Sequence, residues 1–248
     1  MTKASQSGIA IGPILFIVAI LAVLASAIAA GSGAFNSDTS AVKAKAQASA
    51  ILEYANEVKF AVDRVRGHGC SDEQVSFENP IVSGYYTNSN APSDKSCHVF
   101  NVNGGGIIYK SPPTTALDRA AYDAATASGK IFGIYHFSDS GISGIGSSNA
   151  DLVMALPWIS KDVCLQINKL VDFKNFNTTT PPNQTGWNAF FIFTGFYSAS
   201  YAIAVTMPPG NVDNRGALQG CMDATVQAGL LDKYPGGGYF YFLALIVR

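Results

Sequence analysis

The chain has 248 residues and a formal charge of −1, from 16 basic and 17 acidic side chains. It lacks the basic surplus that phosphate contacts demand, so it is not read as a nucleic-acid binder. Hydrophobic residues make up 48% and charged residues only 13%, the reverse of a disordered composition, and the length suits a membrane anchor plus one domain or one large domain alone.

The predicted elements begin with a stretch free of charge between Lys3 and Asp38. Residues 9–30 read IAIGPILFIVAILAVLASAIAA, interrupted only by Gly12, Pro13 and Ser26. A transmembrane helix needs about 20 apolar residues, which this run supplies. Pro13 falls in the first turn, where its missing N–H has little to bond. The rival is a cleaved signal, because Ala25-Ser26-Ala27 and Ala27-Ile28-Ala29 fit the small-x-small pattern. The run exceeds a typical signal core of roughly 7–15 residues, which favours a retained anchor. The positive stub, residues 1–8 with Lys3, then stays in the cytoplasm and residues 38–248 are exported.

Gly31-Ser32-Gly33 breaks the apolar pattern, and residues 31–37 are read as a hinge. Ser37 or Asp38 offers an N-cap for a second helix. Ala41, Ala44, Ala48, Ile51, Ala55, Val58, Val62 and Val65 follow at alternating spacings of three and four, a single apolar face. Lys59 and Asp63 can pair four apart. Gly67 or Gly69 stops the helix. An alanine-rich stripe permits close approach but gives little dimer stability, so this face is expected to cover a sheet of its own domain.

Strand signals dominate the remainder. Residues 106–110 after the triple glycine, 130–137, 151–156 before Pro157, 190–197 and 201–207 are β-rich, and the last two read as neighbours. Ser160 caps a short helix with Val163, Ile167 and Leu170 or Val171 on one face. Residues 239–247 form a last strand, apolar on both faces and hence central or well covered. Residues 175–186 form a loop in which Asn177 and Asn183 are formal glycosylation acceptors of little weight.

The four cysteines, Cys70, Cys97, Cys164 and Cys221, allow three pairings, and in an exported domain they read as two disulfides. The favoured pairs are Cys70–Cys97, bracketing a polar stretch without a core of its own, and Cys164–Cys221, tying the short helix to the segment before the last strand. A Cys₂His₂ metal site from His68, Cys70, Cys97 and His98 is arithmetically open, but the spacings match no zinc module. No cofactor is expected.

Catalytic motifs do not emerge. His136, Ser138 and Asp139 lie together on a strand signal, yet strand neighbours point to opposite faces and triads assemble from distant segments. No G-x-S-x-G, P-loop, H-E-x-x-H or G-x-G-x-x-G is present. The chain is read as no enzyme.

The layout resembles the type IV pilin and pseudopilin family: residues 1–8 resemble the leader that ends in glycine, 9–30 the apolar helical half, and 38–66 the amphipathic half. The resemblance implies processing between Gly8 and Ile9 and an α+β fold with the amphipathic helix packed on a mostly antiparallel sheet. It also implies a C-terminal disulfide, here Cys164–Cys221. The family's glutamate at the fifth place after the cut is replaced by Pro13, a departure that bears on a major-subunit role more than on the family resemblance. The implied function is a membrane-anchored structural subunit of an envelope filament or secretion assembly, single-pass in the inner membrane. Its C-terminal domain would lie in the periplasm or outside the cell, and its partners would be the lipid bilayer and other pilin-like subunits. The alternative is an exported ligand-binding module, for example for glycan, anchored or secreted.

Overall fold

Helix α1 runs Ile11–Gly67, 57 residues without a break. The expected hinge at residues 31–37 is therefore corrected: the backbone is helical through both glycines and through Ser37 and Asp38. Two glycines cost only about 1 kcal/mol each against alanine, and the flanking sequence is rich in alanine, the strongest helix former. The computed structural model describes residues 11–120, 123, 133–142, 144–147, 149–173, 179–182, 192–197, 202–203, 216–223 and 238–248. Side chains are described from Thr39 onward, apart from 202–203. Residues 1–8, Ile9, and the side chains of the apolar run lie outside this set, as do Asn177 and Asn183. Among the residues whose side chains are described, which exclude the apolar run, no helix is long and apolar enough to cross a membrane. The chain divides into two units, Met1–Lys43 and Ala44–Arg248, and the second holds the sheet, the core and both disulfides.

Within the second unit, α1 buries Ala44, Ala48, Ile51, Ala55, Val58, Val62 and Val65, the expected stripe, together with Tyr54 and Ala61. Ala41, expected in the stripe, is exposed. Lys59 and Asp63 pair at 2.6 Å on the outer side. The helix ends in a Schellman arrangement: Gly69 at φ 96° donates to Arg66 O at 2.9 Å, and Cys70 N–H donates to Val65 O at 3.3 Å. A residue with a side chain would be strained at Gly69, so the glycine delivers Cys70 directly to its disulfide.

Residues 68–118 contain only two 3-10 turns, Asp72–Gln74 and Thr114–Ala116, and isolated bridges. The expected strand at 106–110 is absent. Lys110 N–H instead donates to the Tyr54 hydroxyl at 2.9 Å, so a tyrosine on α1 takes the place of a neighbouring strand. The triple glycine is a turn: Gly106 has φ 74°, and a Cβ on Gly104 or Gly105 would collide with the carbonyls of His98 or Val99.

The sheet consists of β1 (His136–Ile142), β2 (Asp151–Ile159), β3 (Ala202–Ile203), β4 (Gln219–Asp223) and β5 (Tyr239–Ile246), in the order β3-β1-β2-β5-β4. All pairings are antiparallel except β1 with β3. The fold is α+β. β5 lies between β2 and β4, the well-covered place its two-faced apolarity predicts. Leu152, Met154, Leu156, Tyr241, Leu243 and Leu245 share one core with the α1 stripe. Val153, Ala155, Phe240, Phe242 and Ala244 form a second core on the other face with Phe173. This alternation is the two-residue period of a strand read on both faces.

Two strand limits differ from expectation. β1 begins at His136, later than the 130–137 signal, of which residues 130–132 are outside the described set. β2 continues past Pro157 to Ile159. The register shifts between Pro157 and Ile159, and Trp158 has φ 57°, so the proline falls at an irregularity where its missing N–H interrupts little. The short helix is found as α2 (Lys161–Leu170), burying Val163, Cys164 and Ile167; Ser160 stands at its N-cap position with extended backbone, but its side chain makes no capping hydrogen bond. Asn168 also lies on its buried face and exchanges two hydrogen bonds with the Cys221 backbone, at 2.8 and 2.7 Å.

Candidate functional site

The sulfur atoms pair as Cys70–Cys97 and Cys164–Cys221, with Cα separations of 5.9 and 5.3 Å. The first pair uses the thiols that the metal alternative required. Among the described residues no group of three or more His, Cys, Asp or Glu side chains is arranged to hold a metal. His98 points its Nε2 at Glu78, 3.1 Å away. His136, Ser138 and Asp139 are all buried in β1, and burial pushes the His136 imidazole down to about 4.

A different constellation forms where segments far apart in sequence meet beyond the ends of β2 and β5. A cleft of about 370 Å³ is lined by Glu73, Asn90, Asn149, Phe196, Tyr197 and Arg248, with Gly195 and Ala150 in its wall. Its frame is held by Asp151, which is fully buried at the start of β2. One carboxylate oxygen accepts from the Ile142 N–H at 3.0 Å and the other from the Arg248 N–H at 2.9 Å. Burial raises this carboxyl above its ordinary value, and the two backbone donors oppose the rise. The Arg248 carbonyl accepts from Ser147 N–H, so the residue is held through both of its backbone polar groups.

The Arg248 guanidinium lies over the Tyr197 ring, 3.9 Å from its centroid. Its edge faces two carboxylates, with Nη2 3.7 Å from Glu73 and Nε 4.0 Å from Asp72. Asp72 also binds Arg66 at 2.8 Å. The site thus balances two cations against two anions. Burial, and secondarily the Asp72 carboxylate, push the Tyr197 hydroxyl above its ordinary range. That hydroxyl is buried with no hydrogen-bond partner among the described residues. The Tyr197 ring continues inward to Phe193 at 5.1 Å, and Phe193 meets Phe77 at 6.2 Å in the core.

The opposite wall is fixed by carboxamides. Asn88 donates to Glu73 O at 2.9 Å and Val75 O at 2.8 Å, and accepts from Asn90 N–H at 2.8 Å. Asn90 donates to Gly195 O at 3.0 Å. Gly195 has φ 89°, and a Cβ there would collide with the Asn88 side chain. Only glycine allows this turn to press against Asn88 and present Phe196, 65% exposed, beside Tyr197.

None of the cleft residues carries a local motif. Residues 190–197 register in the sequence as an aromatic strand signal, but 192–197 form no strand and bend at Thr194 and Gly195. The aromatic density is legible, its use in a cleft wall is not. Gly8 and Ile9, the expected processing site, lie outside the described residues. No protein-family model, curated protein or solved structure is matched by the chain.

Proposed function

We infer that the chain is a membrane-anchored, pilin-like structural subunit of an envelope filament or secretion assembly, single-pass in the inner membrane with its C-terminal domain exported. The observation that carries this reading is α1. Its sequence up to Ser37 carries an apolar, charge-free run of spanning length, and the apolar stripe from Ala44 to Val65 belongs to the core of an α+β domain. The two disulfides support an oxidising compartment for that domain. The role is structural rather than catalytic, with the bilayer and like subunits as partners.

N-terminal sequencing of the mature protein from the membrane fraction tests it. Ile9 as first residue is the expected result and matches pilin-type processing after Gly8. A start near Gly31, with the protein released from the membrane, would overturn the anchored subunit.

A further inference from the structure

We propose that the cleft beside Tyr197 and Arg248 binds a neutral saccharide. The assignment is independent of the filament reading, since it uses only the Ala44–Arg248 unit. Its volume of about 370 Å³ falls within the range of small-ligand sites. Its walls are set by hydrogen bonds that Asn88 and Asn90 donate to backbone carbonyls and that Asp151 accepts from backbone N–H groups, so little ordering is left for a ligand to impose.

The lining chemistry decides the ligand class. Arg248 spends its face on Tyr197 and its edge on Glu73 and Asp72, and Asp72 is also paired with Arg66. With its charges answered from within, the cleft offers no net attraction to an anionic or cationic ligand. Asn90 and Asn149 bring carboxamides, which both donate and accept, and Glu73 brings a carboxylate acceptor. Sugar hydroxyls have the same dual character. The Phe196 ring, 65% exposed at the same cleft, offers the flat apolar surface on which the C–H face of a pyranose stacks. A purely apolar ligand would desolvate the Asn149 carboxamide and the unused donors and acceptors of Asn90 and Glu73 without supplying partners. A polyhydroxylated ring with one apolar face matches both the carboxamides and the Phe196 ring.

The test titrates the full-length chain, in a detergent without a sugar headgroup, with chitotriose, cellotriose, maltotriose, an anionic sialyl trisaccharide and trilysine. Calorimetry and saturation-transfer NMR are the readouts. At least one neutral trisaccharide should bind, with its ring protons saturated from the protein. Phe196→Ala and Asn149→Ala should each weaken that binding by about tenfold, the loss of one good contact. Val102→Ala, at an exposed position not lining the cleft, should leave it unchanged. Circular dichroism and intact disulfides establish that each variant is folded. Failure of every neutral trisaccharide to bind the folded chain overturns the proposal. So does preference for the anionic trisaccharide or trilysine, or binding that survives both substitutions.

Discussion

Two regions of the Ala44–Arg248 unit satisfy the same physical demand by opposite means. Where α1 meets the sheet, backbone groups bond within their own elements and the contact between elements is apolar: Ile51, Val58, Val62 and Val65 share a core with Met154, Leu156, Tyr241 and Leu243. In residues 68–118 there is almost no regular structure, and side chains complete the backbone. Asn79 accepts from the N–H groups of Ile81 and Val82 at 3.1 Å, Asp94 from Ser96 at 2.9 Å, and Asn101 from Asn103 at 3.0 Å. Tyrosine hydroxyls from α1 and from the region itself serve as further partners. The first region is held by volume that many apolar residues fill together; the second lends Val75, Phe77, Val99 and Tyr109 to that core and is otherwise held by individual partners and one disulfide. They should therefore fail in different ways.

The largest effect is expected from charge placed in the shared core. Val58 is fully buried, and Val58→Asp would bury a carboxylate without a partner, costing several kcal/mol out of a total of roughly 5–15 for a domain. Loss of the cooperative thermal transition, followed by near-UV circular dichroism, is the expected outcome. Lys45→Asp, one face away and exposed, should move the midpoint by less than about 0.5 kcal/mol equivalent. If Val58→Asp left the melting temperature unchanged but abolished assembly, the stripe would face a partner rather than the domain's own sheet, and the comparison would collapse.

The disulfides sharpen it next. Cys164–Cys221 closes a separation of 57 residues and joins α2 to β4 inside the core. Cys70–Cys97 closes 27 and lies wholly within the irregular region. Loop-closure entropy gives about 4 and about 3.5 kcal/mol, nearly equal. Their distribution should nonetheless differ. Replacing both Cys164 and Cys221 by alanine should lower the global melting temperature. The same double change at Cys70 and Cys97 should chiefly accelerate amide hydrogen exchange within 68–118, while the strands stay protected. Equal loss of protection across the sheet in both variants would show that the regions fold as one unit.

The same contrast explains what was legible in the sequence. The α1 stripe and α2 announce themselves because periodicity records burial on a repeating geometry, and β5 because an unbroken apolar run records burial on both faces. The Cys70–Cys97 pair followed from asking which segment lacked a core, and Cys164–Cys221 from tying the short helix to the segment before the last strand. The misses share a cause. Residues 106–110 look like a strand because strand composition reports a half-buried extended backbone, and their partner is a tyrosine hydroxyl rather than another strand. Gly31 and Gly33 look like a break because local propensity cannot weigh two glycines against the helix on either side. The cleft is assembled from residues between 73 and 248 that are neighbours only after the sheet forms. Its one local clue, the aromatic run at 190–197, points to a strand. The left-handed turn at Gly195 that makes it a wall depends on Asn88, more than a hundred positions away.

The smallest expected effect lies on the seam between the two regions and is read by pH. His136 sits in β1 between Tyr135 and Phe137, whose backbone groups are bonded by tyrosines of the irregular region. Tyr135 N–H donates to the Tyr109 hydroxyl at 3.0 Å, and Phe137 N–H donates to the Tyr86 hydroxyl at 3.3 Å. Burial holds the His136 imidazole at about 4, below its ordinary 6.5, so the unfolded chain takes the proton first as pH falls. This contribution to stability is fully present above pH 6.5 and is lost progressively down to about pH 4. The whole of it amounts to about 3 kcal/mol. Asp151 works in the opposite direction, because burial raises its carboxyl and the folded chain takes that proton first. His136→Gln isolates the imidazole: urea midpoints measured between pH 7 and pH 4 should fall less steeply in this variant than in the parent chain. An unchanged slope would mean that His136 is not the group responsible. If the parent instead loses exchange protection in residues 76–110 before the strands as pH falls, protonation opens the seam from the polar side, and the two regions separate there first.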